Sequence, residues 1–268
     1  MKVSVIMSVY NAQQLALQQA IRSVTSQSYT AFDFYICNDG STNQTAKWLQ
    51  EEAAKDARIH ILTNDTNQGL AASLNRCIQQ APGNFLIRQD ADDLSLPCRF
   101  SALCHAAEEH PEIDLFSSNI HLFNEDGVWG IRNYPLFPQK EDFLFCVPFQ
   151  HGAVAYRKEA VCRVGGYRVL KKTRRTEDLD LFARMYLAGS SGMTLPTVYY
   201  AYREDSAAQC RRKYRYRIDE ANIKFHAFKE LGLFPKGIPY AIKPLIVGLI
   251  PNPLLNKLKQ WYYHLNLE

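Results

Sequence analysis

Apolar residues recur through the first ninety positions in short runs, separated by longer stretches with helical spacing. Val3–Val9 is rich in β-branched residues and reads as a buried strand. Leu15–Ser26 places apolar or small residues at helical intervals, and Tyr29–Phe32 closes it. Phe34–Cys37 reads as a second strand, stopped by Asn38-Asp39-Gly40-Ser41. Ser41 or Thr42 is placed to cap a helix running through Ala46, Leu49 and Ala53. Arg58–Leu62 reads as a third strand, Asn67-Gln68-Gly69 as a turn, Leu70–Gln80 as a helix and Phe85–Arg88 as a fourth strand. Alternation of this kind predicts a parallel sheet with helices on both faces. Right-handed crossovers make it doubly wound and Rossmann-like.

The second hundred residues are less regular. Pro97–His110 reads as a helix, Ile113–Phe123 as a strand, and Val128–Arg132 as its antiparallel return after a turn at Asn124–Gly127. Ala153–Tyr156 is a short strand and Lys158–Val164 a short helix ending at Gly165-Gly166. A helix capped by Thr176 runs through Leu179, Phe182, Met185 and Tyr186, and Thr197–Tyr202 is a strand. Arg211–Leu231 is basic and helical. The pattern divides the chain into residues 1–110, 111–205 and a helical C-terminal appendage, 206–268.

Composition is that of a globular protein: 268 residues, 47% hydrophobic and 22% charged, ample for a sizeable core. The net charge of +4 is unevenly spread. From Ser206 onward there are 11 Lys and Arg against 4 Asp and Glu, a balance of +7, so the rest of the chain carries −3. A basic C-terminal region suits an anionic surface such as membrane headgroups, nucleic acid or a phosphorylated substrate. Ala241–Ile250 is apolar but interrupted by Lys243, Pro244 and Gly248; it is too short to span a bilayer, which takes about 20 apolar residues. Leu254, Leu255, Leu258, Trp261, Tyr262 and Leu265 recur at helical spacing beside Lys257 and Lys259. They read either as an interfacial helix or as a packing surface. The amino end has too short an apolar run for a signal peptide. The seven cysteines are dispersed with no CxxC pair, which reads as reduced thiols in a cytosolic chain. The seven histidines have no HExxH-like spacing, so zinc is not expected.

The candidate chemistry centres on Gln89-Asp90-Ala91-Asp92-Asp93. Three carboxylates at the carboxyl end of a buried strand stand where open α/β sheets bind ligands. Carboxylates this close repel unless a positive group joins them, and hard oxygen donors suit magnesium or manganese together with substrate phosphates. The same residues alone would also read as a solvated acidic turn. Asp39, at the end of the second strand, reads as a turn aspartate capping the next helix or as an acceptor of hydrogen bonds from a nucleobase. Glu177 and Asp178 open a helix and favour its dipole. Asp180 falls on another face and is expected in solvent. Lys171, Lys172, Arg174 and Arg175 form a charge run, either a solvated loop or one that closes over phosphate.

In order and at sensible spacing, several segments resemble glycosyltransferase family 2. They are Val3–Asn11, Asn38-Asp39-Gly40-Ser41-Thr42, Asn67-Gln68-Gly69-Leu70 with Asn75, Asp90-Ala91-Asp92-Asp93, Gly165-Gly166-Tyr167, Glu177-Asp178 and Tyr202-Arg203. The resemblance covers roughly residues 1–205. It implies a GT-A fold with a nucleotide-sugar-binding half, an acceptor-binding half and a divalent Mn2+ or Mg2+. It implies inverting transfer of a hexose or N-acetylhexosamine from a nucleoside-diphosphate sugar, UDP first, to a lipid-linked glycan, O-antigen, capsule or lipooligosaccharide acceptor. By the same resemblance Val9, Tyr10, Asn11, Asp39, Asn67, Gly69, Asp90, Ala91 and Asp92 line the nucleotide-sugar site, with Asp92 on the metal and Asp178 as base. His151, Glu177 and Arg203 are candidate contacts to the acceptor or diphosphate. A peripheral location on the cytoplasmic face of the inner membrane follows from the C-terminal charge; the sequence sets no oligomeric state. Two alternatives are a nucleotidyltransferase and a non-enzymatic nucleic-acid-binding module using Arg211–Arg217. The first would show a Gly-rich loop where Ser8-Val9-Tyr10-Asn11 stands, and the second leaves the acidic cluster unexplained.

Overall fold

A computed structural model describes residues 1–204 and 214–264. Nine strands form one sheet. They are β1 (Val3–Val9), β2 (Phe32–Asn38), β3 (Ile59–Thr63), β4 (Phe85–Arg88), β5 (Leu94–Ser95), β6 (Leu115–Asn124), β7 (Gly127–Arg132), β8 (Ala155–Arg157) and β9 (Gly192–Arg203). The order is β3-β2-β1-β4-β8-β6-β9-β5, with β7 paired to β6. The first four strands are parallel, as the alternating pattern predicts. β8 enters antiparallel between β4 and β6, and β6 pairs parallel with β9.

Strand alternation decides which helices lie on which face. On β1, Val3, Val5, Met7 and Val9 join one core with α1 (Gln14–Thr25), α2 (Thr45–Ala53) and α4 (Arg99–Glu109). Ile6 joins the opposite core, with α3 (Leu70–Gln80), α5 (Lys158–Arg163) and α6 (Glu177–Leu187). Successive β side chains point to opposite faces, so one strand feeds two cores. α7 (Arg215–Glu230) buries Ile223, Ala227 and Phe228 in that second core, and α8 (Ile238–Val247) adds Ala241. α9 (Asn252–His264) lies against β7, where the Tyr263 and Trp129 rings are 6.5 Å apart.

Three expectations are corrected. β9 begins at Gly192, well before Thr197; Pro196 falls where the register with β6 shifts, so the missing N–H breaks no regular ladder. Ser41 and Thr42 do not cap α2. Their hydroxyls meet Asn11 instead, and Asn43 Oδ1 accepts the Thr45 amide at 3.0 Å. Asp180 is not solvated: it is buried between Arg168 and Arg184 at 3.1 and 2.8 Å. Arg184 also donates to the carbonyls of Val164 and Gly166, so Asp180 ties α6 to the segment carrying Gly165-Gly166-Tyr167. Of Arg211–Arg217, residues 211–213 lie outside the described residues, as does Leu265.

Removing one partner of a buried ion pair strands the other charge, at a cost of about 3 kcal/mol or more. Asp180→Ala is therefore expected to lower the melting temperature by roughly 6–12 °C. Calorimetry showing a change of a degree or less would mean the pair is not structural.

Candidate active site

The order β2-β1-β4 brings three loop ends together at one sheet edge. At the end of β1, Asn11 has φ 47°, a left-handed conformation that asparagine tolerates. Its Oδ1 accepts the Thr42 and Asn43 amides at 2.8 and 3.3 Å, joining the loops after β1 and β2. Val9 is buried and its carbonyl accepts the Asp39 amide, whereas Tyr10 is exposed. The Asp39 carboxylate is buried and already engaged. Oδ1 accepts from Asn64 Nδ2 and Gln68 N at 2.8 and 2.9 Å, and Oδ2 from Gly69 N at 2.8 Å. Asp39 thus shapes the loop carrying exposed Asn67 and the start of α3, and in this conformation offers no oxygen free of those donors.

The acidic turn rests on a polar platform that the sequence pattern did not reveal. Arg88 is 1% exposed and holds both oxygens of Asp90, at 2.9 and 2.6 Å. Burial opposes its cation, but Asp90 together with Tyr167 and Tyr200 outweighs burial and keeps it charged. Beneath, the Gln89 amide donates to the carbonyls of Asp90 and Asp93 at 3.0 and 2.9 Å. Its Oε1 accepts from Ser95 and from Arg99, which is fully buried. Arg99 also donates to the carbonyls of Arg88 and Gly152; burial pulls its pKa down to about 10, so it stays charged at neutral pH. Asp93 is buried, and its carboxylate accepts from the Tyr200 hydroxyl at 2.9 Å and the Arg203 amide at 2.7 Å. Burial, Asp92 and Asp90 together push its carboxyl well up. Ala91 is half-buried, and Asp92 is the exposed carboxylate of the three.

Arg203, a candidate contact to acceptor or diphosphate, is bound to the acidic turn: Nε donates to the Asp92 carbonyl at 3.0 Å and the guanidinium covers Phe123. His151 sits in the turn before β8, its Nε2 hydrogen-bonded to the Tyr167 hydroxyl at 2.8 Å. Burial and Arg88 push His151 well below its ordinary pKa, so it is a neutral imidazole. Asn75 on α3 exchanges two hydrogen bonds with the Tyr167 backbone, at 2.7 and 2.8 Å. That clamp fixes the segment leading to α6. Asp178, half-buried in the first turn of α6, accepts the Leu179 amide at 2.8 Å. Burial raises its pKa, while that amide and Arg88 oppose the rise. Burial raises Glu177 likewise, again against Arg88. The Arg88 charge therefore reaches Asp90, His151, Glu177 and Asp178, and joins the acidic turn to the start of α6.

Hard carboxylate donors at this turn fit Mg2+ or Mn2+, which bind through one or two carboxylates plus substrate phosphates. No group of three or more metal-ligating side chains gathers among the described residues. Of the three carboxylates, Asp92 is the one that solvent reaches most. A cavity of about 670 Å3 is lined by Glu112, Phe137, Tyr186 and Gly192 and includes none of these carboxylates.

The model of the family described as "Glycosyl transferase family 2" matches residues 4–172. A Bacillus subtilis protein named as glycosyltransferase EpsE is 38% identical over 96% of this chain and 92% of its own. An Escherichia coli UDP-Gal:alpha-D-GlcNAc-diphosphoundecaprenol beta-1,3-galactosyltransferase is 27% identical over 85% of this chain and 84% of its own. Among solved structures, S. aureus TarS in complex with UDP-GlcNAc superposes with a TM-score of 0.68 at 18% identity, over 88% of this chain and 72% of that one. The mannosyltransferase PcManGT of Pyrobaculum calidifontis, in complex with GDP-Man and Mn2+, gives 0.63 at 17% identity, over 97% and 79%.

Gly152 lies against the turn: a Cβ there would stand 2.8 Å from an Asp90 oxygen and 3.0 Å from one of Asp93, and would strike the Tyr200 hydroxyl. Overpacking of this kind costs about 1–3 kcal/mol. Gly152→Ala should lower the melting temperature by roughly 2–12 °C. A change of a degree or less by calorimetry would show that the turn tolerates displacement.

Proposed function

Because the chain belongs to glycosyltransferase family 2 and has the GT-A fold of its structural neighbours, we propose the following reaction for this glycosyltransferase. It moves a hexose or N-acetylhexosamine from a UDP-sugar to a hydroxyl of a lipid-linked glycan, with inversion. The observation that carries this reading is the shared edge: Asp92 on its platform, the loops of Tyr10–Asn11 and Asp39, and Asp178 at the start of α6. UDP as donor is supported by the UDP-sugars named for the E. coli relative and the TarS complex. The diphosphoundecaprenol in the E. coli relative's name supports a lipid-linked acceptor.

In this reading the nucleotide lies along the loops of Val9–Asn11 and Asn67–Gly69, with Asp39 holding the latter in shape. Asp90 and Ala91 flank the ribose side, and Asp92 holds Mn2+ or Mg2+. An ion held there would supply charge neutralisation for the departing diphosphate. Asp178 takes the proton of the attacking acceptor hydroxyl. Burial raises its pKa, which makes it a stronger base than a solvated aspartate, while the Leu179 amide and Arg88 limit the rise. His151, being neutral, is suited to hydrogen-bond the sugar or diphosphate, and Glu177 to contact the acceptor. Residues 1–110 serve the donor and 111–205 the acceptor. Residues 206–268 are the appendage that holds the enzyme at an anionic membrane.

That last assignment rests on exposed apolar side chains. Ile238, Ile242, Ile246 and Leu249 follow one another at helical spacing on α8 and just beyond it, beside exposed Lys243. On α9, Leu254, Leu258, Trp261 and Tyr262 are exposed as well. No helix among the described residues is long and apolar enough to cross a membrane. Basic residues near an anionic surface contribute about 1 kcal/mol each, so attachment should be reversible and salt-sensitive.

General base catalysis supplies about 10²–10⁴-fold. Asp178→Asn should lower turnover by about that factor and leave UDP affinity nearly unchanged. The base must be ionised and its pKa is raised, so kcat/KM of the wild-type enzyme should rise with pH along an acid limb lying above that of an ordinary aspartate. A variant with near-normal turnover, or a limb that Asp178→Asn leaves in place, would assign the base elsewhere.

Vesicle co-sedimentation tests the attachment. Full-length protein should pellet with anionic vesicles at low salt and be released at high salt, and Ile242→Ser/Ile246→Ser should weaken pelleting. Protein that stays in the supernatant at low salt would make these stripes packing or dimer surfaces.

A further inference from the structure

Between the loop of Gln68-Gly69 and the segment preceding α6 lies a cavity of about 120 Å3, lined also by Leu70, Val169, Leu170, Lys171, Arg174 and Glu177. The segment is fixed from inside. Thr173 is buried and its hydroxyl donates to the carbonyls of Arg168 and Leu170 at 3.1 and 2.9 Å. Thr176 is buried too and donates to the Thr173 carbonyl at 3.0 Å. Arg175 adopts φ 66°, a left-handed conformation that a bulky residue rarely takes. Held this way, Lys171, Lys172, Arg174 and Arg175 are all exposed.

Their neighbours are matched differently. Arg168 pairs with Asp180, and Arg175 stacks over the Tyr216 ring at 5.5 Å. Lys171, Lys172 and Arg174 make no ion pair among the described residues. Three unmatched cations within four positions repel one another, and an anion relieves that repulsion. Beside them Val169 and Leu170 are exposed, 56% and 46%. Cations adjoining bare aliphatic side chains match a phosphate attached to a hydrocarbon chain better than they match a hydrophilic nucleotide. The segment ends at Glu177 and Asp178, so an anion held there lies beside the proposed base.

We propose that Lys171, Lys172 and Arg174 form an acceptor subsite that grips the phosphate or diphosphate of a lipid-linked acceptor, with Val169 and Leu170 against the first carbons of its chain. This rests on the lipid-linked reading of the acceptor and adds the residues that recognise it. The proposed donor diphosphate, by contrast, would be held by a divalent ion on Asp92, at a separate place. Cationic hydrogen bonds to a phosphate are the stronger kind, and guanidinium grips it in two places.

The test uses the full chain and farnesyl diphosphate as probe, measured by calorimetry with UDP and Mn2+ present at saturation. Farnesol and UDP are the controls. In Lys171→Gln/Lys172→Gln/Arg174→Gln, all three changes are at exposed positions, so the fold should survive. Farnesyl diphosphate should bind at least about tenfold more weakly to this variant, each lost charged hydrogen bond being worth that much or more. Farnesol and UDP should bind as before. Val169→Ser/Leu170→Ser should weaken farnesyl diphosphate but not inorganic pyrophosphate. Equal farnesyl diphosphate affinity in wild type and triple variant would overturn the proposal and leave a solvated loop. A fall in UDP affinity instead would assign the cations to the donor. Failure of wild-type protein to bind UDP with Mn2+ would strike the donor reading itself, a result separable from either.

Discussion

Two arginines with almost no exposed surface lie beneath three carboxylates, and the rest of the site depends on that stack. A buried guanidinium is costly unless it is paired and hydrogen-bonded. Arg88 meets the cost through both oxygens of Asp90, and Arg99 through Gln89, Ser95 and two carbonyls. In return the turn Asp90–Asp93 cannot relax away from itself. Gln89 fastens its first and last carbonyls, while Tyr200 and Arg203, on β9, fasten Asp93. Asp92 is thereby presented outward by a turn braced from both halves of the sheet.

The same charges link donor and acceptor sides. β8 lies against β4 and carries the turn of His151 to the arginine. Asn75, on the donor side, grips the Tyr167 backbone, and Asp180 with Arg184 carries that constraint into α6. The position of Asp178 is therefore set by three fixed points: Asn75, Asp180 and the field of Arg88. In the proposed role of base, Asp178 gains proton affinity from burial, and the Leu179 amide and Arg88 limit that gain.

Much of residues 1–110 was legible because a parallel sheet writes itself as apolar runs between helical periods. β1, β4 and α3 fall where the pattern places them, and the acidic turn falls at the end of β4. The C-terminal half of the sheet was less legible. β5 has two residues, and β9 runs through a proline that sequence rules treat as a break. The platform was illegible for a different reason. Arg88, Gln89 and Arg99 look like surface residues in a sequence, and only the fold shows that they are buried against carboxylates. Asp180 misled in the same way, since helical spacing gives a face but not what covers it. Of the two readings of Asp39, the turn role is the one its own chain displays, with three donors on the carboxylate.

The central claim is that this braced turn delivers a metal to a nucleotide diphosphate through Asp92. A crystal of the protein grown with UDP and Mn2+, with data collected at the manganese absorption edge, tests it directly. The account predicts one strong anomalous peak beside the Asp92 carboxylate, with Asp90 still paired to Arg88. UDP bound without a peak at Asp92, or with the metal held by other residues, would contradict it.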